Sequence, residues 1–159
     1  MTKTSELKLA DAGAVSRTEG ISSLAYDSID QAFPEVDPGF IPFGSKVLVQ
    51  IRTPMLMTRG GIAITEESRE TEQWNTQVSK VIALGPVAFC NRDTLELWPE
   101  GVWAQPGTFV RCPKYGGDRW EVPVPDTTAD KAIFVVFDDL DLSGEIPEDH
   151  VLETVAYLK

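Results

Sequence analysis

The sequence predicts an all-β fold, mainly a small antiparallel barrel or sandwich. Short apolar runs alternate with Gly/Pro turn signals through residues 46–137, which is the pattern of strands joined by short connections. Few stretches between these runs have the periodicity of a helix. The chain of 159 residues, 42% hydrophobic and 25% charged, has the size and composition of one ordinary globular domain.

Five strands are predicted, at residues 46–52, 78–84, 108–112, 119–122 and 132–137. In the first strand Val47, Val49 and Ile51 alternate with other residues and therefore share one face. The second strand ends at Gly85-Pro86, because proline cannot donate the next hydrogen bond of a ladder. The fifth strand is the most apolar of the set, which indicates a place in the core.

The segments on either side of these strands differ in composition. Residues 1–40 form an acidic N-terminal arm, with a short predicted helix at 25–33 whose apolar edge is Ile29 and Phe33. Because the apolar strands all come later, we expect the arm to lie outside the core and residues 1–36 to be dispensable for folding. Residues 41–143 form the β-domain, and residues 144–159 form a tail in which a helix is predicted over 147–159.

Charge and hydropathy exclude two classes of partner. The net charge is −11, from 25 acidic and 14 basic residues, and such a surface repels the phosphates of nucleic acid. No apolar run approaches the roughly 20 residues that span a bilayer, and the first ten residues lack the apolar stretch of a secretion signal. We therefore expect no nucleic-acid and no membrane partner.

The side chains that usually perform catalysis are sparse. His150 is the only histidine and lies in the acidic tail, so a surface position is favoured over a catalytic one. Cys90 and Cys112 are interpreted as two buried thiols rather than a disulfide, and they are too few for a structural zinc site. The acidic run 138–141 lacks the glycine and the terminal glutamate of a calcium loop and is interpreted as a solvated face. We expect no enzyme, no metal and no cofactor.

The connection between the first two strands is unusually long. Residues 53–76 contain Gly60-Gly61, then Ile62-Ala63-Ile64, then a charged run, and hairpin connections are normally much shorter. One interpretation makes Ile62-Ala63-Ile64 a core strand that follows a Gly-Gly turn. The other makes it an apolar anchor on a mobile loop, which docks into the groove of a partner. The residues alone leave both interpretations open.

Several short motifs follow one another in a distinctive order across residues 41–143. They are Gly60-Gly61-Ile62-Ala63-Ile64, Val81-Ile82-Ala83-Leu84-Gly85, Pro106-Gly107-Thr108-Phe109-Val110, Lys114-Tyr115-Gly116-Gly117-Asp118, and Ile133-Phe134-Val135-Val136 before Asp138-Asp139-Leu140. This order resembles the chaperonin-10 family, the GroES-like co-chaperonins that cap a chaperonin ring. The resemblance implies a GroES-like antiparallel β-barrel with a long mobile loop.

The resemblance also implies a site and partners. The chaperonin-binding residues would be Gly60, Gly61, Ile62, Ala63 and Ile64, with the two isoleucines as anchors and the two glycines giving the loop its freedom. The chain would form a homo-oligomer, a sevenfold ring built by pairing edge strands, and repetition of one weak contact around the ring would give avidity. ATP would be hydrolysed by the chaperonin and not by this chain.

The departures from the family pattern raise an alternative function. The insertion at residues 88–105, with Trp98 and Trp103, is richer in aromatic residues than the family's roof hairpin. The arm and tail resemble additions found in co-chaperonins of tailed bacteriophages, so the resemblance implies a phage protein acting in the host cytoplasm. Because fold does not determine function, the alternative is a virion protein that decorates the capsid, with phage capsid proteins as partners.

Overall fold

The computed structural model describes Tyr26 and residues 28–53, 63, 65, 78–125 and 131–156. The strands are β1 Lys46–Ile51, β2 Val78–Leu84, β3 Phe109–Arg111, β4 Asp118–Pro123, β5 Lys131–Asp138 and β6 Gly144–Ile146. The helices are α1 Ile29–Ala32, a 3-10 helix Asp139–Asp141 and α2 Glu148–Ala156. Each of the five predicted strands is present to within one residue at either end, and β6 is a strand that the sequence did not predict.

The six strands form one antiparallel sheet in the order β4-β5-β1-β2-β3-β6. The prediction of a mainly β fold is confirmed. The predicted closure of the sheet into a barrel is not observed among the described residues, because β4 pairs only with β5 and β6 only with β3. As far as the described strands go, the sheet therefore ends at two edge strands, β4 and β6.

β1 lies at the centre of the sheet and is covered on both faces. It pairs with β5 from Lys46↔Asp138 to Ile51↔Ile133, and with β2 on its other side. The predicted inward face of Val47, Val49 and Ile51 is buried. Leu48 and Gln50, on the opposite face, are buried as well, so two separate layers of chain must cover this sheet.

Residues 85–105 cover the first face. Phe89 and Ala104 are buried there against Val47, Val49 and Ile51, with Trp98 and Trp103 packed at the margin. The Phe89 and Trp103 rings are 5.4 Å apart between centroids, within the range for favourable aromatic contact. The aromatic insertion thus contributes to the core of the domain.

The N-terminal segment covers the second face, through hydrogen bonds from the sheet to its carbonyl groups. The Thr53 backbone N–H donates to Ala32 O over 2.8 Å, and the Gln50 side chain donates to Pro34 O over 2.8 Å. The Trp120 indole on β4 donates to Pro38 O over 3.2 Å, and its ring lies 4.9 Å from that of Phe40. Residues 32–40 therefore run across the sheet from the end of β1 to β4.

A third cluster joins both flanking segments to the sheet. Its buried members are Tyr26, Ala32, Phe33, Val78, Phe109, Ile146 and Val151. Phe33 is 1% exposed, and its ring centroid lies 5.3 Å from that of Phe109 on β3. The expectation that residues 1–36 lie outside the core is wrong for the part from Tyr26 onward, because a buried phenylalanine outweighs the polar composition around it.

Two glycines of the motifs noted above allow close approach of backbone segments. A Cβ on Gly85 would lie 2.2 Å from the carbonyl oxygen of Gly44. Gly117 has φ +75°, and a Cβ there would lie 2.6 Å from Cγ1 of Val135 on β5. Both positions therefore require glycine for steric reasons.

None of the described helices combines the length and the apolar character needed to cross a bilayer.

Candidate functional site

The long connection between β1 and β2 begins and ends at one place on the sheet. β1 and β2 are paired along their length, and the last pair joins Ile51 to Ser79. The two ends of the connection therefore lie on neighbouring antiparallel strands, next to one pair of residues. The strands hold both ends of the connection, and this end of the sheet is the candidate site.

A group of buried polar side chains lies where the connection leaves β1. Tyr26 donates its hydroxyl hydrogen to Thr53 O over 2.5 Å, and Arg52 Nη1 donates to the Tyr26 hydroxyl over 3.3 Å. The Arg52 guanidinium also lies 5.9 Å from the centroid of the Tyr26 ring. Thr53 Oγ1 donates to Lys131 O over 2.9 Å. This polar cluster fixes the first residues of the connection against β5 and the N-terminal segment.

The predicted anchor residues fall largely outside the described residues. Gly60, Gly61, Ile62 and Ile64 are among those that the structure does not describe, whereas Ala63 is described and is exposed. The structure thus describes where the connection leaves and rejoins the sheet. The assignment of the anchors stays a prediction.

The polar cluster at Tyr26, Arg52 and Thr53 was missed by reasoning from the sequence. A partial signal was present, because the apolar alternation of β1 stops at Arg52 while the chain is still buried. A buried arginine must find hydrogen-bond partners. The identity of one partner, a tyrosine 26 residues earlier, carries no local signal.

A second buried polar group lies at the opposite end of β5. Asp139 is fully buried, accepting from the Phe89 N–H over 2.6 Å and from the Leu140 N–H over 2.8 Å. Arg92 donates to the same carboxylate, and this hydrogen bond is the main cause that raises the pKa of the Arg92 guanidinium. The prediction that the run 138–141 is a solvated face is therefore wrong at Asp139.

Two pairs of large apolar side chains that do not belong to the long connection are exposed. Ile41 and Phe43, just before β1, are 81% and 82% exposed. Leu95 and Leu97 are 61% and 53% exposed, in the segment closed by the bridge between Cys90 and Leu97. Exposed apolar side chains in pairs are more typical of contact surfaces than single ones.

A cavity of about 530 Å³ opens between the aromatic insertion and the connection from β5 to β6. Its lining residues are Phe89, Glu100, Trp103, Ala104, Val110, Leu140, Leu142, Ser143, Gly144 and Glu145. Most of its walls are apolar, with two glutamates among the lining residues. This volume is within the usual range for small-molecule sites.

The remaining candidate side chains have structural surroundings. Cys90 and Cys112 are both buried free thiols, as predicted, and burial raises the pKa of the Cys112 thiol. His150 is exposed near the start of α2, with Nε2 3.8 Å from Asp149 Oδ2. Among the described residues no group of acidic, histidine or cysteine side chains is arranged to hold a metal ion.

Comparison of the chain with protein-family models, with curated proteins and with solved structures found no match.

Proposed function

We propose that this chain is a co-chaperonin of the GroES-like, chaperonin-10 type, which caps a chaperonin ring through the long connection between β1 and β2. The observation that carries the proposal is the pairing of Ile51 with Ser79. This pair places the two ends of the long connection side by side on the sheet, and a connection held at both ends could present Ile62-Ala63-Ile64 to a partner. ATP hydrolysis is assigned to the chaperonin.

The open sheet edges support the oligomeric part of the proposal. Among the described strands, β4 and β6 lie at the two edges of the sheet, and edge strands pair readily with another chain. A ring of copies joined at such edges, seven in the family that the sequence resembles, would complete each GroES-like barrel. Seven weak loop contacts on one rigid ring would then bind with high avidity.

The origin and location proposed for the protein follow from the same resemblance. The N-terminal segment, which crosses the second face of the sheet, is an addition to the family pattern. We propose a bacteriophage co-chaperonin that acts in the cytoplasm of the host and assists folding, with capsid proteins as candidate clients.

The test is co-migration with a bacterial chaperonin on gel filtration in the presence of ADP. The wild-type protein is expected to elute with the chaperonin, and Ile62→Ser with Ile64→Ser is expected to elute alone. If both isoleucines are buried in the groove of the chaperonin, their replacement removes about 3–6 kcal/mol of binding free energy per loop. Since neither substitution falls in β1–β6, the variant is expected to keep the oligomeric state of the wild type.

The matched control is Leu95→Ser with Leu97→Ser, which removes two exposed aliphatic side chains at the same spacing. The control is expected to bind as the wild type does. Unchanged binding of the Ile62/Ile64 variant would overturn the anchor assignment. No binding by a folded wild-type oligomer would overturn the co-chaperonin proposal itself.

The exposed pairs Ile41/Phe43 and Leu95/Leu97 favour a second candidate, a structural protein of the virion that decorates the capsid. These side chains lie outside the connection and would serve contacts with capsid proteins. This candidate predicts no chaperonin binding and predicts instead that the protein is found in purified virions. An immunoblot of virions therefore separates the two functions.

A further inference from the structure

The cavity beside β6 combines an apolar interior with acidic groups. Six of its lining side chains are apolar and provide a surface for a hydrophobic ligand: Phe89, Trp103, Ala104, Val110, Leu140 and Leu142. The volume of about 530 Å³ accommodates a small molecule, and sites of this size typically combine apolar walls with a few polar groups that orient the ligand.

The charged side chains that line the cavity are both acidic. Glu100 and Glu145 both line it, and its described lining contains no lysine, arginine or histidine. Within the described part of the chain, neither glutamate takes part in an ion pair. Glu145 is paired with Val110 across β6 and β3, so both side chains lie on the same face of the sheet.

We propose that this cavity binds a small amphipathic organic cation, a free alkyl or aromatic amine. The apolar body would pack against Trp103 and Leu142, and the ammonium group would lie beside Glu100 and Glu145. The Trp103 ring adds a face that attracts cations. An anion of the same length would be repelled by both carboxylates, which are exposed, and a neutral analogue would lack the attraction to them. The site does not depend on the co-chaperonin proposal.

Three probes of equal length test the charge preference: n-hexylammonium, hexan-1-ol and hexanoate. Each probe is titrated into the full-length protein, and the indole N–H signal of Trp103 is followed by NMR. That signal is identified as the one missing from the spectrum of the Trp103→Phe variant. Saturable shifts are expected with n-hexylammonium, weaker ones with hexan-1-ol and none with hexanoate. No saturable shift with n-hexylammonium, or equal affinity for the alcohol, would overturn the proposal.

Single substitutions distinguish this site from general attraction to an acidic protein. Glu100→Gln and Glu145→Gln, both at exposed positions, are each expected to weaken n-hexylammonium binding about fivefold, the upper end for exposed charge pairs. Glu96→Gln is the control, since it removes one exposed charge outside the cavity lining. An equal loss in the control would show diffuse attraction and would overturn the site.

A lysine side chain of another protein offers the same chemistry as a free amine. N-acetyl-lysine amide distinguishes the two sources, because its backbone must also fit at the mouth of the cavity. It is expected to bind more weakly than n-hexylammonium. Tighter binding of the lysine derivative would overturn the assignment to a free amine.

Discussion

At the scale of single residues, Asp139 joins three parts of the chain. Its carboxylate accepts from the backbone of Phe89 and from Arg92, both in the insertion, while its own N–H donates to Ser45 O over 3.2 Å. A fully buried carboxylate is stable only when its oxygens are hydrogen-bonded in this way. The residue therefore attaches the aromatic insertion to the end of β5.

Replacing Asp139 by asparagine is expected to destabilise the fold by about 2–3 kcal/mol. Asparagine carries an NH₂ group in place of one carboxylate oxygen, and this group cannot accept a hydrogen bond. The backbone N–H of Phe89 or of Leu140 therefore loses its acceptor. Urea denaturation followed by circular dichroism measures this change in the free energy of unfolding.

Asp138→Asn is the matched control, one residue earlier. Asp138 pairs with Lys46 over 2.8 Å, but both side chains are about half exposed. Such surface pairs contribute about 0–1 kcal/mol. Equal losses of stability in the two variants would show that the buried hydrogen bonds of Asp139 are not the source of the effect.

At the scale of elements, the segment from Tyr26 to Phe40 is part of the domain. Phe33→Ala is expected to cost about 3–5 kcal/mol, as for other buried phenylalanines, since the ring packs on Phe109. Thermal unfolding measures the loss. The control is Leu97→Ala, at an exposed position, which should change stability by less than about 0.5 kcal/mol.

Deletion of residues 1–36 is likewise expected to impair folding. It removes Phe33 and the carbonyl of Pro34 that accepts from the Gln50 side chain, leaving that buried amide donor without its partner. A truncated protein with wild-type stability would show that these contacts contribute little.

The strands were predictable because their signals are local. The predicted bounds of β2 are those observed, since Gly85-Pro86 follows it directly. β6 was missed because Gly144, Glu145 and Ile146 show too little alternation to indicate a strand, and only pairing with β3 makes them one. The predicted helix at 25–33 is four residues long in the structure, from Ile29 after the cap at Ser28.

The candidate site was predictable in part. The length of the connection and its Gly-Gly and apolar residues are local signals. The burial of Arg52 depends on Tyr26, and the burial of Asp139 depends on Phe89 and Arg92. Contacts between residues so distant in the sequence leave no periodic pattern in the chain.

At the scale of the whole molecule, the open edges and the exposed pair Ile41/Phe43 predict self-association. Ile41→Asp with Phe43→Asp is expected to reduce the oligomer to smaller species, since charges resist burial in an apolar contact. Both positions are over 80% exposed, so the fold should survive. Sedimentation velocity measures the change in mass.

Leu95→Asp with Leu97→Asp provides the comparison, because it adds equal charge at another exposed site. The sedimentation coefficient of this variant is expected to stay at the wild-type value. If the Ile41/Phe43 variant keeps the wild-type mass, that surface lies outside the subunit contact.

The central position of β1 has a consequence for synthesis on the ribosome. β1 pairs with β5 along its whole length, so its pairing must wait until residue 138 has been translated. Until then a strand built to be buried on both faces is exposed in the growing chain, and such long-range pairing forms slowly. Residues 32–40 likewise cannot dock fully until β4 has been translated, because the Trp120 indole on β4 donates to Pro38 O. The protein is therefore most vulnerable to aggregation during translation, before β5 has emerged.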